Sequence, residues 1–505
     1  MLIGLALLII TIPAFTSLIN SQYFSMHDDQ HIARLFSLDQ GIRQGYLYPR
    51  WVDLWGFNHG YPLFNFYPPF IYYVAEFFKL FGASYIVSIK LMCMTGFLVG
   101  AIGMYLLVKK VTENRLAALL SATLFTFYLY HGILIYVRGA LAEFFAMSLL
   151  PWVFLGIEKI KFERSIKSSI FFGVSFALLI LTHPLIAFPS LLYIAIYVLF
   201  SLVTLSVDKA KFLGHTILGG IIGLSLSIFF WLPSMLERKF TLVDDILTTE
   251  LASYKIHYVY PEQLWSSLWG YGGSIPGPID GLSFQIGKIH LAIFTFSIVT
   301  FFICLLMRRI SKANILRYTF YVALFMFSIF MTTQYSSFVW DNIKQLSYLQ
   351  FPWRFMTFAG LFISIAGGYA IYFLTQCIDT LSQRGVIVGV VTVALCLSVV
   401  GINGKYFHPQ QLINTTDTEK TSFEEIAWRV SRSTFEFMPK GIKTTKSEYN
   451  TTIPSIKKDE IRIMNYELEE GKAVVSTIEN KFAQKRGNFS FPNGFRFYNY
   501  TNQFN

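Results

Sequence analysis

The sequence predicts a polytopic α-helical membrane protein with about eleven transmembrane helices and a small external β-rich domain at its C-terminal end. Three observations predict it. Apolar runs of about twenty residues recur through position 401, the length that an α-helix needs to cross a bilayer. Charged residues make up 14% of the chain and apolar ones 54%, where a soluble domain carries about a quarter charged residues. Basic residues gather in alternate loops, the pattern that sets orientation in a membrane.

Eleven runs qualify as spans: 2–20, 84–108, 116–137, 140–157, 169–189, 190–207, 212–232, 289–307, 318–333, 355–374 and 385–401. The first has no basic residue ahead of it and no small-x-small cleavage site, so it reads as a spanning helix and not as a signal peptide. With the N-terminus cytoplasmic, loops 109–115, 158–167, 208–211, 308–317 and 375–384 face the cytoplasm and hold 14 Lys and Arg in 41 residues. The external segments before the last span, chiefly 21–83, 233–288 and 334–354, hold 11 in roughly 145 residues. This asymmetry predicts a multi-pass protein of the plasma membrane. It accounts for the net charge of +11 without a nucleic-acid partner.

Residues 63–82, LFNFYPPFIYYVAEFFKLFG, carry Glu76 and Lys79, and counting them as a span would invert every later loop. They read instead as an amphipathic helix at the external surface, opened by Pro68 and Pro69. In the second span, GFLVG at 96–100 followed by Gly103 marks a close helix–helix contact. The four cysteines, Cys93, Cys304, Cys377 and Cys396, show no zinc or redox spacing, and no disulfide is expected. Residues 402–505 contain no spanning run. Within them, EIRIMNYELEEGKAVVSTI at 460–478 alternates as strands do, about a turn at Glu470 and Gly471. The chain thus divides into a membrane domain, 1–401, and an extracytoplasmic β-rich tail, 402–505.

Under this topology every unusual polar cluster faces outward. In SMHDDQHIARL, 25–35, Asp28 and His31 stand three apart, on one face of a helix. A plainer alternative is a solvated helix start with an Asp as N-cap. The loop beyond, with GFNHGYPLFNFYPP, is rich in aromatics, glycine and proline, and suits a shaped cavity at the membrane surface. YVRGALAEFF places Arg138 and Glu143 at the mouths of consecutive spans. They are functional groups at membrane depth or an interfacial ion pair of little energetic weight. Arg354 in FPWRF is a snorkelling anchor or a phosphate clamp, because the guanidinium fork matches phosphate oxygens. Lys90 has the same two readings, and His183 in LTHPLIAF reads as structural. WSSLWGYGGSIPGPIDGLSFQIG, 265–287, suits a lid. Together these groups are the equipment for transfer from a lipid phosphate. A carboxylate takes a proton or holds a divalent metal with a second acid, and basic residues meet the leaving phosphate.

HDDQHIARLFSLDQGIRQGYLYPRW, GYPLFNFYPPFIYY, YVRGALAEFFAMSLLPW, THP, SIPGPIDGLSFQIGKIHL and LQFPWRF resemble segments of the bacterial and archaeal family of 6-pyruvoyl-tetrahydropterin synthase-related membrane proteins. FEFMP at 435–439 is similar to an element at the start of that family's tail. The label implies no pterin chemistry here, since the soluble synthase's three-histidine zinc site has no counterpart in this sequence. The layout also resembles the wider GT-C class of glycosyltransferases, with its polyprenyl-phosphate sugar donors and external soluble domain. That resemblance implies a catalytic acid in the first external loop, Asp28 with Asp29 as its competitor. It implies a second acid at Glu143 and a phosphate-binding role for Arg354. His31 and Arg138 join Arg354 as expected substrate-binding residues. A divalent ion, Mg or Mn, held by Asp28 and Glu143 is an optional cofactor. The implied partners are the membrane lipid, a lipid-phosphate sugar donor and a glycan, lipid or protein acceptor. Two other readings stand beside this one: a transporter or flippase for a lipid-linked glycan, whose site would sit nearer the midplane, and a non-catalytic protein of envelope assembly.

Overall fold

Inside a bilayer only bonding within a segment satisfies the backbone, so long apolar runs become helices. A computed structural model describes residues 2–247, 253–378, 381–434 and 436–440, with the backbone of 442–443 and 467–468. The principal helices, in chain order, are α1 (Leu2–Thr11), α2 (His31–Arg43), α3 (Phe70–Leu80), α4 (Tyr85–Thr112), α5 (Arg115–Thr126), α6 (Leu129–Val137) and α7 (Leu141–Glu163). They continue as α8 (Ile166–Thr182), α9 (Pro184–Thr204), α10 (Lys209–Glu237), α11 (Lys288–Leu306), α12 (Lys312–Thr332), α13 (Met356–Cys377) and α14 (Leu381–Asn403). The chain divides into a larger unit (1–29, 87–228 and 250–414) and a smaller one (30–86, 229–249 and 415–505).

Each of the eleven expected spans is met by a helix or a helix pair, but not all are long enough to cross. Among the described residues eight helices have the length and composition to span, or nine if the bent pair α5–α6 counts as one. The expected count of about eleven is therefore not confirmed. α1 gives way after Thr11 to tight turns over Ile12–Ala14 and Thr16–Leu18, because Pro13 removes a backbone donor. α8 stops at Thr182, and Pro184 opens the next helix. Hydropathy counts apolar residues and does not register these breaks.

In the larger unit α7 and α13 form the buried centre, while α14 leaves Val386, Val390, Val393 and Leu397 exposed for lipid to cover. α13 packs on α5, α11 and α12, and α7 on α8. The small residues of α4 let it approach α7 as expected. A Cβ on Gly103 would stand 2.5 Å from the Trp152 indole nitrogen, and one on Gly100 3.1 Å from the Ser148 hydroxyl. The α5–α6 pair bends by 40°, which frees backbone carbonyls that side chains then satisfy. Leu124 O accepts from His290 (2.8 Å), Phe125 O from His131 (2.7 Å) and Phe127 O from Asn403 (3.0 Å). Cys304 of α11 and Cys377 of α13 form a disulfide with Cα atoms 6.0 Å apart, against the expectation of none. Helix packing brings together two residues that lie 73 apart in sequence, a relation that spacing rules do not reach. Strand β1 (Tyr23–Phe24) pairs antiparallel with β2 (Leu412–Ile413), joining the segment after α1 to the one after α14.

In the smaller unit α2 begins at His31 with Gln30 as its N-cap, and no side chain caps it. The plainer alternative, an Asp as the N-cap, is therefore not met, since Gln30 holds that position. α3 is amphipathic as expected: Ile71, Tyr72, Ala75 and Glu76 are buried, while Phe77 and Leu80 are exposed. It is shorter than the 63–82 run, because Pro69 occupies its N-cap. Asp417 accepts from the amides of Tyr85 (2.7 Å) and Ile86 (3.1 Å), which begin α4. Between 402 and 434 the tail, apart from β2, forms short helical turns such as Asp417–Lys420 and Glu424–Val430. Further on, β3 (Ile442–Lys443) pairs antiparallel with β4 (Glu467–Leu468). The rest of the expected β-rich domain, with most of 460–478, lies outside the described residues.

Candidate functional site

The site is built where α6 ends and α7 begins. Arg138 closes the turn Ile133–Val137, and Gly139 follows with φ +67°, a left-handed conformation that glycine adopts without steric cost. A Cβ on Gly139 would also stand 2.7 Å from Met26. The close approach that this glycine permits lets the acidic segment lie on the turn. His27 N donates to Val137 O (3.0 Å) and Asp28 N to Arg138 O (2.9 Å). The same segment is held upstream by Lys90, a buried residue of α4. Its Nζ donates to Asn20 O (3.0 Å), to Asn20 Oδ1 (3.2 Å) and to Gln22 O. Lys90 is thus a clamp on the acid loop, neither a snorkelling anchor nor a phosphate ligand. Downstream, the His27 ring bonds Tyr271 O (2.8 Å), and the Tyr271 hydroxyl bonds His408. Residues 265–287 are irregular beyond their first residue, and their own backbone crosses at Gly272 and Gly281 (2.8 Å).

Three charges converge at the start of α7. The Glu143 side chain is fully buried, with Arg138 Nη1 at 3.0 Å and Arg354 Nε at 3.5 Å from its Oε2. Tyr130 donates to the other oxygen at 2.6 Å and lies 3.3 Å from Arg138 Nη1. Arg354 reaches this point through its local fold. Gln350 turns left-handed at φ +61°, and Arg354 Nη1 donates back across that turn to Leu349 O (2.6 Å). Phe351 lies under both guanidinium groups, 5.9 Å from Arg138 and 5.2 Å from Arg354. Two cations against one buried carboxylate leave a positive charge that Asp28, within electrostatic reach of Arg138, offsets in part.

Arg138, Glu143 and Arg354 are therefore brought together, with Asp28 exposed and Asp29 half-buried on the backbone beside Arg138. The interfacial ion pair of little weight is replaced by a buried triad. Tyr130 was missed by sequence reasoning; inside the aromatic run FTFYLYHG nothing separates a site tyrosine from a packing one. His31 belongs to the smaller unit, where it is buried with Nδ1 2.9 Å from the Tyr72 hydroxyl. The pair Asp28 and Glu143 does not fit a divalent ion as arranged, because the Glu143 oxygens face two guanidinium groups and a tyrosine. No three His, Cys, Asp or Glu side chains gather as a metal set among the described residues.

The smaller unit holds an acid pair of its own. Asp39, buried on α2, accepts from Arg43 Nε (2.8 Å) and from the Tyr85 hydroxyl. Glu76 of α3 is pushed up to about 7, first by burial and then by the neighbouring Asp39.

Residues 64–276 match the model of the family described as 6-pyruvoyl-tetrahydropterin synthase related domain, membrane protein. No curated protein matches. The cryo-EM structure of the arabinofuranosyltransferase AftD from Mycobacteria is similar at 12% identity and TM-score 0.50, over 82% of this chain and 27% of that one. Oligosaccharyltransferase AglB from Archaeoglobus fulgidus, in complex with an inhibitory peptide and a dolichol-phosphate, is similar at 10% identity and TM-score 0.43, over 82% of this chain and 56% of that one. ArnT from Cupriavidus metallidurans, bound to undecaprenyl phosphate, is similar at 12% identity and TM-score 0.43, over 85% and 76%. This chain spans little more than a quarter of the arabinofuranosyltransferase, 27% of its length. That likeness shows a GT-C-like membrane fold, and the fold alone.

Proposed function

We propose that the protein is a glycosyltransferase of the plasma membrane, moving a sugar from a polyprenyl-phosphate-linked donor to an acceptor on the extracytoplasmic face. One observation carries this reading: Arg138 and Arg354 converge on Glu143, with Asp28 laid on the Arg138 backbone. The positive charge left over at a buried site favours an anion, and forked guanidinium donors suit phosphate oxygens. In the reaction the acceptor hydroxyl oxygen attacks the anomeric carbon. The bond from that carbon to the phosphate oxygen breaks, and its electron pair leaves with the phosphate. The hydroxyl proton passes to the Asp28 carboxylate and then to water. Polyprenyl phosphate gains one negative charge as it departs. Arg138, 12% exposed against 8% for Arg354, is the better placed to meet it. In this reading the N-terminus is cytoplasmic, and residues 402–505 form an extracytoplasmic tail.

The test uses purified protein in nanodiscs with undecaprenyl-phosphate-linked pentoses and hexoses, and release of undecaprenyl phosphate is measured. Asp28→Asn is expected to slow release by about 10²–10⁴-fold while undecaprenyl phosphate still binds, and Asp29→Asn is expected to keep most turnover. Full turnover in both variants would remove the assigned role. Movement of the intact lipid-linked sugar across the bilayer, with no bond cleaved, would establish a transporter instead.

A further inference from the structure

Resting on the transferase reading, we propose that Trp353, Thr357 and His183, beside Arg354, form the wall that holds the hydroxyl groups of the transferred sugar. Three buried polar atoms here have no hydrogen-bond partner among the described residues, Trp353 Nε1, Thr357 Oγ1 and His183 Nδ1, while Arg354 Nε faces Glu143 at 3.5 Å. Trp353 is 2% exposed, Arg354 6% and Thr357 0%. Trp353 lies in the 3₁₀ turn Pro352–Phe355 that leads directly into α13, and Thr357 in the first turn of α13. His183, between α8 and α9, lies within electrostatic reach of Arg354, Glu143 and Arg138.

The Thr357 hydroxyl is informative because its usual outlet is left unused. Buried hydroxyls in these helices turn back to the carbonyl one turn earlier, as Ser364 does to Gly360 O (2.7 Å), Ser328 to Leu324 O (2.7 Å) and Thr392 to Val388 O (2.6 Å). Thr357 does not. Buried polar atoms are almost always paired, and each exception calls for a cause. Three exceptions, on two near neighbours of Arg354 in sequence and on a histidine within its electrostatic reach, fit a ligand with several hydroxyl groups, attached to the phosphate that this guanidinium attracts.

The wall is covered. Phe284 and His257 place their rings 5.0 Å from Trp353, and Phe351 stacks on it at 4.4 Å. Phe284 belongs to the segment 265–287, and His257 bonds Ser274 of that segment (3.1 Å). A sugar enters only when this segment lifts, which gives the irregular loop a task.

Binding to nanodisc-embedded protein tests the proposal, with undecaprenyl phosphate compared against its arabinofuranosyl, mannosyl and glucosyl derivatives. The wild type is expected to bind at least one glycosylated probe about tenfold or more tightly than undecaprenyl phosphate. Thr357→Val and His183→Phe are expected to erase that preference while binding undecaprenyl phosphate unchanged, and His183→Gln is expected to restore part of it. Thr357→Val removes an unmet hydroxyl, so its melting temperature should hold or rise, which separates lost recognition from lost folding. A wild type that binds no glycosylated probe more tightly, or variants that keep the preference, would overturn the sugar wall alone. Failure to bind undecaprenyl phosphate at all would overturn the transferase reading and this inference with it.

Discussion

Glu143 is the residue on which two guanidinium groups depend. Removing one partner of a buried pair strands the others, at a cost of about 3–5 kcal/mol. Glu143→Gln is therefore expected to lower unfolding stability in detergent by that order, whereas the exposed Asp28 tolerates Asn with little change in stability. Chemical denaturation of both variants checks the contrast. Glu76 gives a pH dependence. Its value of about 7 in the fold stands above the ordinary 4.5, so the neutral carboxyl beside Asp39 is the favoured form. The stability that it contributes is fully present below pH 4.5 and is lost as pH rises through about 7. The protein should melt at a lower temperature at pH 8 than at pH 6, and Glu76→Gln should remove most of that difference. At this scale the sequence showed which charged residues stand at the mouths of spans, because charge in an apolar chain is conspicuous. It did not show Tyr130, Trp353 or Thr357, whose types are ordinary in such helices and whose unusual surroundings exist only after folding.

Helices were legible wherever an apolar run was long, and their ends were legible where proline or glycine stood. What the pattern could not separate was a span from a helix that falls short, as with α1 and α8, or a straight span from a broken one. The break between α5 and α6 depends on His290, His131 and Asn403, two of which come from distant segments to take the freed carbonyls. Asn403→Leu leaves the Phe127 carbonyl without that donor, at a cost of about 1–3 kcal/mol. Thermal unfolding of this variant should show a loss of that order, and an unchanged transition would mean that the break is held by packing alone.

For the whole molecule, the loop charges predict which way round the chain sits, and the cysteine pair offers an independent reading. Cys304 and Cys377 lie at the end expected to face the cytoplasm, where thiols are kept reduced. If the loop charges give the true orientation, alkylation in intact cells finds both thiols free, and the disulfide of this structure forms only on oxidation. A bond already present in freshly trapped protein would place that end outside and invert the orientation. The multi-pass membrane character was readable from composition, but the convergence at Glu143 was not, because it joins turns more than 200 residues apart.

The short ladder of β1 on β2 has a consequence for the way the chain is cut. Ser25 and Gln411 bond each other twice, and Gln22 reaches Asn414, so the exit of the last helix buckles down the strap that carries Asp28. Trimming the chain immediately after Asn403 would delete none of the acids or guanidinium groups of the site. It would still unfasten the proposed general base, and on that reading a shortened form is expected to bind a lipid phosphate and stall.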